Sequence, residues 1–228
     1  MNSPKINLSG WQDYRGKSEG VLLYLNSPKN QELPVRDVLD TLGKGFETEP
    51  HYETGTLNFF SCKHSKSLNS ILKNRRRYVF LGTVYEGTLS EYKNKLLLFG
   101  YYRLDKTLDV HKRHIHQYMA HPDTALAPEC LNLTECFAAY SEEVKLFHPS
   151  ESFELSEEIM KSWGYKGRVA KHMKLTFSPE QAEQVLNFFK TKTTLNEKYE
   201  QLVKDLESQK DQVLADRQAA KLKEENLW

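Results

Sequence analysis

Arg77-Tyr78-Val79-Phe80-Leu81-Gly82-Thr83-Val84-Tyr85 and Lys95-Leu96-Leu97-Leu98-Phe99-Gly100-Tyr101-Tyr102-Arg103-Leu104 are the two stretches whose reading decides the fold. Both are rich in β-branched, aromatic and leucine side chains, which predicts strands. The intervening Glu86 to Asn94 is polar and contains Gly87, so the two strands are expected to pair as a hairpin with a longer loop. Neither run alternates apolar with polar residues, so both faces of the sheet at this point are expected to be covered. Gly82 and Gly100 mark one position in each strand where the chain bends sharply or lets a ligand approach the backbone.

Working outward, Val21-Leu22-Leu23-Tyr24-Leu25 predicts another strand, closed by the turn signal Asn26-Ser27-Pro28. Thr56 to Phe60 reads as a strand and Ser67 to Leu72 as a helical turn. Pro34 to Leu42 reads as a short helix, with Val35, Val38, Leu39 and Leu42 at helical spacing and Gly43 and Gly45 as its stop. Residues 119–150 hold no long element, being interrupted by Pro122, Pro128 and Pro149. A helix is expected over Leu155 to Trp163, capped by Ser152 or Ser156 and stopped by Gly164. Ser178-Pro179-Glu180-Gln181 is a helix start with serine cap, first-position proline and third-position glutamine, continuing through Ala182, Val185, Leu186 and Phe189. Leu195 to Trp228 lacks Gly and Pro, and Leu195, Tyr199, Leu202, Leu206, Val213 and Ala220 recur at three-to-four spacing, interrupted by Gln209 and Asp216. That pattern predicts a charged helix, either a coiled-coil arm or a single helix lying against the body. The expected fold class is α+β: a strongly bent, mostly antiparallel sheet of five or six strands flanked by helices, occupying residues 1–190, with a helical tail over residues 191–228.

Composition narrows the class of protein. With 39% hydrophobic and 28% charged residues among 228, the chain can bury a core beneath a strongly ionic surface. No apolar stretch is long enough to span a bilayer, and Met1 to Gly10 lacks a basic segment followed by an apolar one, so neither a membrane partner nor a secretion signal is expected. Three cysteines argue against a disulfide framework and for a reducing compartment, so the expected location is cytoplasmic. Residues 1–118 carry 18 Lys/Arg against 12 Asp/Glu, whereas residues 119–189 carry 6 against 11. A basic half points to a polyanionic partner, unless the two halves neutralise each other within the fold.

Among side chains with chemistry, His111, His114, His116 and His121 crowd one segment, but their spacing matches no standard metal site; neither Cys62 with His64 nor Cys130 with Cys136 resembles a C-x-x-C pair. No metal and no cofactor are expected. There is no G-x-S-x-G elbow, Walker loop, G-x-G-x-x-G or H-E-x-x-H. Acid-x-Lys patterns of the nuclease kind, such as Glu143-Val144-Lys145, arise by chance. Lys63, Lys66, Lys73, Arg75, Arg76 and Arg77 are a stronger signal: six cations without an acid between residues 63 and 77. Such a patch binds phosphates with strong salt dependence, or else forms a solvated charged turn. It abuts Phe59-Phe60 and Tyr101-Tyr102 if the strands neighbour each other, with one ring of each pair pointing inward and the other outward.

The order of basic turn, Tyr78-Val79-Phe80-Leu81, loop and Leu97-Leu98-Phe99-Gly100-Tyr101-Tyr102 resembles the central hairpin of PUA-like domains, the EVE, YTH and ASCH groups among them. The resemblance covers residues 20–110. It implies a small curved sheet holding a flipped base, often a modified one, against aromatic walls, in some members within restriction systems. Ser152 to Gly164 and Leu175 to Glu180 look like a helical extension of that body. Trp11, Tyr14, Phe60, Tyr102 and Trp163, aromatics near glycines or turns, are the base-stacking candidates, each with an alternative place in the core. The expected function is therefore a nucleic-acid-binding module for DNA or RNA, reading a modified base in a defence or restriction setting. A protein-interaction or oligomerisation module acting through the tail, as a homodimer or larger assembly, is the alternative. A hydrolase or nuclease with a scattered acidic site is the second.

Overall fold

The computed structural model describes residues 11–29, 31–34, 36–39, 46–49, 56–57, 71, 73–110, 136–171 and 173–197. The hairpin read from the sequence is the centre of the molecule. Strand β6 (Arg76–Val84) pairs antiparallel with β7 (Leu96–Arg103), from Tyr78 opposite Arg103 to Val84 opposite Leu96. A register shift lies between Leu81 and Gly82. On the far side of β6, β2 (Lys17–Tyr24) runs parallel to it, with Gly20 opposite Tyr78 and Tyr24 opposite Gly82. Strands β10 (Glu143–Leu146) and β11 (Phe153–Glu154) both pair antiparallel with β7, and β12 (Thr176–Phe177) pairs antiparallel with β2. The result is a six-stranded sheet, antiparallel except between β2 and β6.

Two smaller sheets complete the described strands. One has the order β1, β8, β9, β5, formed by Gln12–Asp13, Lys106–Val110, Cys136–Tyr140 and Thr56–Leu57. The other is a pair of β3 (Arg36–Leu39) and β4 (Phe46–Glu49), with Arg36 opposite Glu49 and Leu39 opposite Phe46. This pair replaces the helix expected over Pro34 to Leu42. Val38 and Leu39 satisfy a strand as well as a helical stripe, and the glycines read as a helix stop lie between the two paired segments. Cross-strand pairing outweighs a helical pattern only eight residues long.

The helices follow their sequence signals. Helix α1 (Glu157–Ser162) is capped by Ser156, whose Oγ accepts the Ile159 N–H at 3.3 Å. Gly164 follows at φ 81°, a backbone conformation that glycine adopts without a Cβ penalty. Helix α2 (Pro179–Phe189) opens on a full capping box: the Gln181 N–H donates to Ser178 Oγ, and the Ser178 N–H donates to Gln181 Oε1. Its buried face, Ala182, Val185 and Phe189, packs on the sheet. No described helix is long and apolar enough to cross a membrane.

Alternate residues of β2 enter two different cores, as expected of a strand covered on both faces. Leu22 and Tyr24 join Phe80, Leu98, Tyr101, Phe147, Phe153, Phe177 and the helices; Leu23 and Leu25 join Val79, Leu81, Phe99, Tyr102 and Leu104. Tyr101 and Tyr102 are thus both buried, on opposite faces, and neither points to solvent. The strand glycines serve this packing rather than a ligand. A Cβ on Gly82 would lie 2.5 Å from Leu22 Cδ1, and one on Gly100 would lie 2.5 Å from the Lys145 carbonyl.

The chain stays docked after α2. Thr194 bridges to Phe147, Leu195 donates its N–H to the Leu146 carbonyl at 2.8 Å, and Asn196 uses its carboxamide as a strand would. Its Nδ2 donates to the Val144 carbonyl and its Oδ1 accepts the Leu146 N–H. Leu195, first residue of the expected coiled-coil seam, is buried in the core instead. The rest of that seam lies outside the described residues, as do His111, His114, His116, His121, Cys62, His64 and Cys130.

Candidate nucleic-acid interface

Two segments separated by about sixty residues are stitched together at the start of β2 and β6. The Tyr14 hydroxyl donates to the Arg76 carbonyl at 2.9 Å, the Lys17 N–H donates to the Arg75 carbonyl at 2.6 Å, and Arg75 Nη2 donates to the Arg15 carbonyl at 3.1 Å. Gly16 makes the approach possible, because a Cβ there would sit 2.9 Å from the Arg75 carbonyl and 3.0 Å from Arg77 Cα. Arg75 holds φ 55°, uncommon for a side chain with a Cβ. The effect is to gather Arg15, Lys17, Lys73, Arg75, Arg76 and Arg77 at one end of the sheet. Arg77 approaches Asp105 at 3.9 Å; the other five make no ion pair among the described residues. The Nε–H groups of Arg76 and Arg77 are buried and reach no acceptor there. The cations without an ion pair make this end a place where an anion is welcome.

Lys73, Arg75, Arg76 and Arg77 of the expected phosphate-binding set are therefore together, whereas Lys63 and Lys66 lie outside the described residues. Of the stacking candidates, Phe60 is also outside them. Tyr102 is 0% exposed within the core, so a base has no access to its ring. Trp11 is 9% exposed and meets Tyr140 edge-on at 6.2 Å. Tyr14 is half-buried, and its burial raises its phenol to about 12. Trp163 is the candidate placed at an opening.

That opening is a cleft of about 410 Å³ between β2, β12, the end of α1 and the start of α2, lined by Glu19, Trp163, Tyr165, Phe177, Ser178 and Gln181 among others. One face of the Trp163 indole stacks on Phe153 at 6.2 Å and 13°, and Phe177 meets it edge-on at 5.9 Å. Glu19 stands two residues after Lys17 on β2, where the register with β6 shifts between Lys17 and Gly20. The basic end and the cleft are thus neighbours along one strand. Arg15, Lys17, Glu19, Tyr165 and Phe177 carried no signal in the sequence. Nothing local couples residues 15–19 to residues 73–77 or 163–178, and only the sheet order does so.

The chemistry of the other clusters is structural. Glu143 and Lys145, the acid-x-Lys pair, belong to an ion network: Glu143 accepts the Tyr101 hydroxyl at 2.6 Å, pairs with Arg103 at 2.8 Å and lies 3.8 Å from Lys145. Burial, then this bond to Glu143, pushes the Tyr101 phenol far above its usual range. Asp105 accepts from Arg103 and from the Glu142 N–H, and holds the Arg103 guanidinium above its ordinary value. Glu32, His148 and Ser150 form a row with contacts of 2.7 Å on both sides of the imidazole. The Ser150 N–H also donates to His148 Nδ1, so the histidine caps the short turn Pro149–Glu151. Among the described residues, no group of three or more His, Cys, Asp or Glu is placed to hold a metal ion.

No protein-family model matches the chain, and neither a curated protein nor a solved structure does.

Proposed function

We propose that this chain is a nucleic-acid-binding module, built on a PUA-like sheet, that grips phosphates at the shared start of β2 and β6 and rests an unpaired base on Trp163. The observation that carries the reading is the end of the sheet itself. Five cations there have no acidic partner among the described residues, and two buried arginine donors have no acceptor. A polyanion supplies the partner that these five cations lack. The aromatic cleft next along β2 suits a stacked base, whose contact with a ring contributes about 1–3 kcal/mol.

The test is a salt titration of oligonucleotide binding. Arg75→Gly suits the positive φ while removing a charge, and Arg76→Gln keeps the stem. The double variant should weaken binding to all sequences alike and flatten the slope of log affinity against log salt by up to about two. Trp163→Ala should weaken binding with the slope unchanged, because stacking releases no counterions. Equal affinity of the double variant and the parent at low salt would leave the cluster as a solvated turn.

A further inference from the structure

The polar groups around the cleft form an inventory that can be closed. The Trp163 indole N–H donates to Gln184 Oε1 at 3.1 Å, and the Tyr165 hydroxyl donates to the Thr176 carbonyl. Ser178 Oγ accepts from the Gln181 N–H and donates to Glu180 Oε2 at 2.7 Å. Gln181 uses both ends of its carboxamide, accepting from the Ser178 N–H at 2.9 Å and donating to the Trp163 carbonyl at 3.3 Å. The helix start therefore has no side chain left to read a ligand. Two lining side chains, Glu19 and Thr176, make no hydrogen bond or ion pair among the described residues, and of the described lining residues Glu19 alone carries a carboxylate.

An ionised carboxylate is purely an acceptor, with two oxygens side by side. A ligand that satisfies it must present two adjacent donors, and one that lies on Trp163 must be flat. Among the nucleobases, guanine alone offers two neighbouring N–H donors on its pairing edge, at N1 and at the exocyclic N2. Cytosine and adenine offer one amino group beside an acceptor. Thymine and uracil offer one N–H between two carbonyls, and those carbonyls would face the carboxylate.

We infer that the cleft selects guanine in an unpaired strand, its ring laid on Trp163 and its N1 and N2 hydrogens given to the Glu19 carboxylate. The inference rests on the nucleic-acid reading above and adds the identity of the base. It also gives the two charges on β2 opposite tasks: Lys17 attracts the phosphate, while Glu19 repels it and keeps the base edge in its place.

The experiment compares three oligothymidylates of one length at one salt concentration: unmodified, with one central guanine, and with one central hypoxanthine. Hypoxanthine keeps N1–H and lacks only the N2 amino group. The parent protein should bind the guanine strand about tenfold more tightly than either of the others. Glu19→Gln, which exchanges one acceptor oxygen for a donor, should bring the three strands within about twofold of each other. Trp163→Phe should retain the guanine preference while lowering affinity for every strand, which separates lost stacking from lost folding. Equal binding of the guanine and hypoxanthine strands by the parent, with salt dependence intact, overturns the guanine inference and leaves the nucleic-acid reading standing. A guanine preference that survives Glu19→Gln overturns it too. Failure of all three strands to bind at low salt overturns both.

Discussion

The two faces of the central sheet are covered in different ways. One is packed by α2 and by rings in sequence: Phe147 stacks on Phe189 at 4.1 Å and 6°, Tyr101 stacks on Phe189 at 5.8 Å, and Phe80 meets Phe177 edge-on at 5.0 Å. The other is mostly aliphatic, and single residues from separate segments help close it, Ile71 and Leu195 buried and Tyr14 and Leu33 partly so. An unbroken helix supplies many anchored side chains at once, so the ring-packed face holds itself together. The aliphatic face depends on segments whose own contacts must fix them, which is why Asn196 and Tyr14 both spend polar groups on neighbouring backbone. The candidate interface lies at the margins of both: Tyr14 and the arginines beside the aliphatic core, Trp163 beside the aromatic one.

That contrast can be broken most forcefully at its largest ring stack. Phe189→Ala removes the partner of both Phe147 and Tyr101 and should cost about 4 kcal/mol of unfolding free energy, read by denaturant titration. Leu81→Ala on the opposite face should cost about 3 kcal/mol. If the leucine variant proves the more damaging by a clear margin, the aliphatic face is the structural centre and the description above is inverted. Ser178→Ala removes the Gln181 cap and should cost about 1 kcal/mol. The loss should appear as faster amide exchange in the first turn of α2, with the aliphatic face unaltered.

The smallest effect is expected in alkali and distinguishes the faces by their tyrosines. Tyr14 beside the aliphatic core ionises at about 12 in the folded protein, against about 10 in an unfolded chain. Its contribution to stability is therefore complete below pH 10 and is lost as pH rises to about 12. Tyr14→Phe should flatten that part of the stability profile. Tyr101, on the ring-packed face and bonded to Glu143, should release its proton only as the protein unfolds. An ultraviolet titration showing Tyr101 ionising together with Tyr14 in the folded protein would remove this distinction.

Legibility in the sequence followed the range of the interactions. Ser156, Ser178 and Gln181 act within four residues, and both helix starts were readable. The β6–β7 hairpin was readable because its partners are close in sequence and apolar throughout. The Arg36–Leu39 strand was not, because Val35, Val38, Leu39 and Leu42 follow a helical period and only the partner at Phe46–Glu49 overrides it. The cations Lys73 to Arg77 announced themselves as a run, yet the meeting with Arg15 and Lys17 depends on a parallel pairing that no local pattern encodes. Trp163 could be nominated from its place beside Gly164, but Glu19 looked like one surface acid among many. Tyr102 was the converse case, an aromatic next to a glycine that the second covered face of the sheet claims entirely.

The place of β2 between β6, which runs parallel to it, and β12, which runs antiparallel, has a consequence for the order in which the protein can be made. The chain emerges from the ribosome amino end first, so Val21 to Leu25 appears long before either neighbour of its strand. Its first edge is covered when Arg76 to Val84 arrives, but the second waits for Thr176 and Phe177. At ordinary rates of synthesis that interval is on the order of 10 s. For that time an apolar strand has an open edge, a condition in which chains pair with the wrong partner. Nascent chains halted before Thr176 should accordingly expose β2 to protease and to chaperone, and chains halted beyond Phe189 should not.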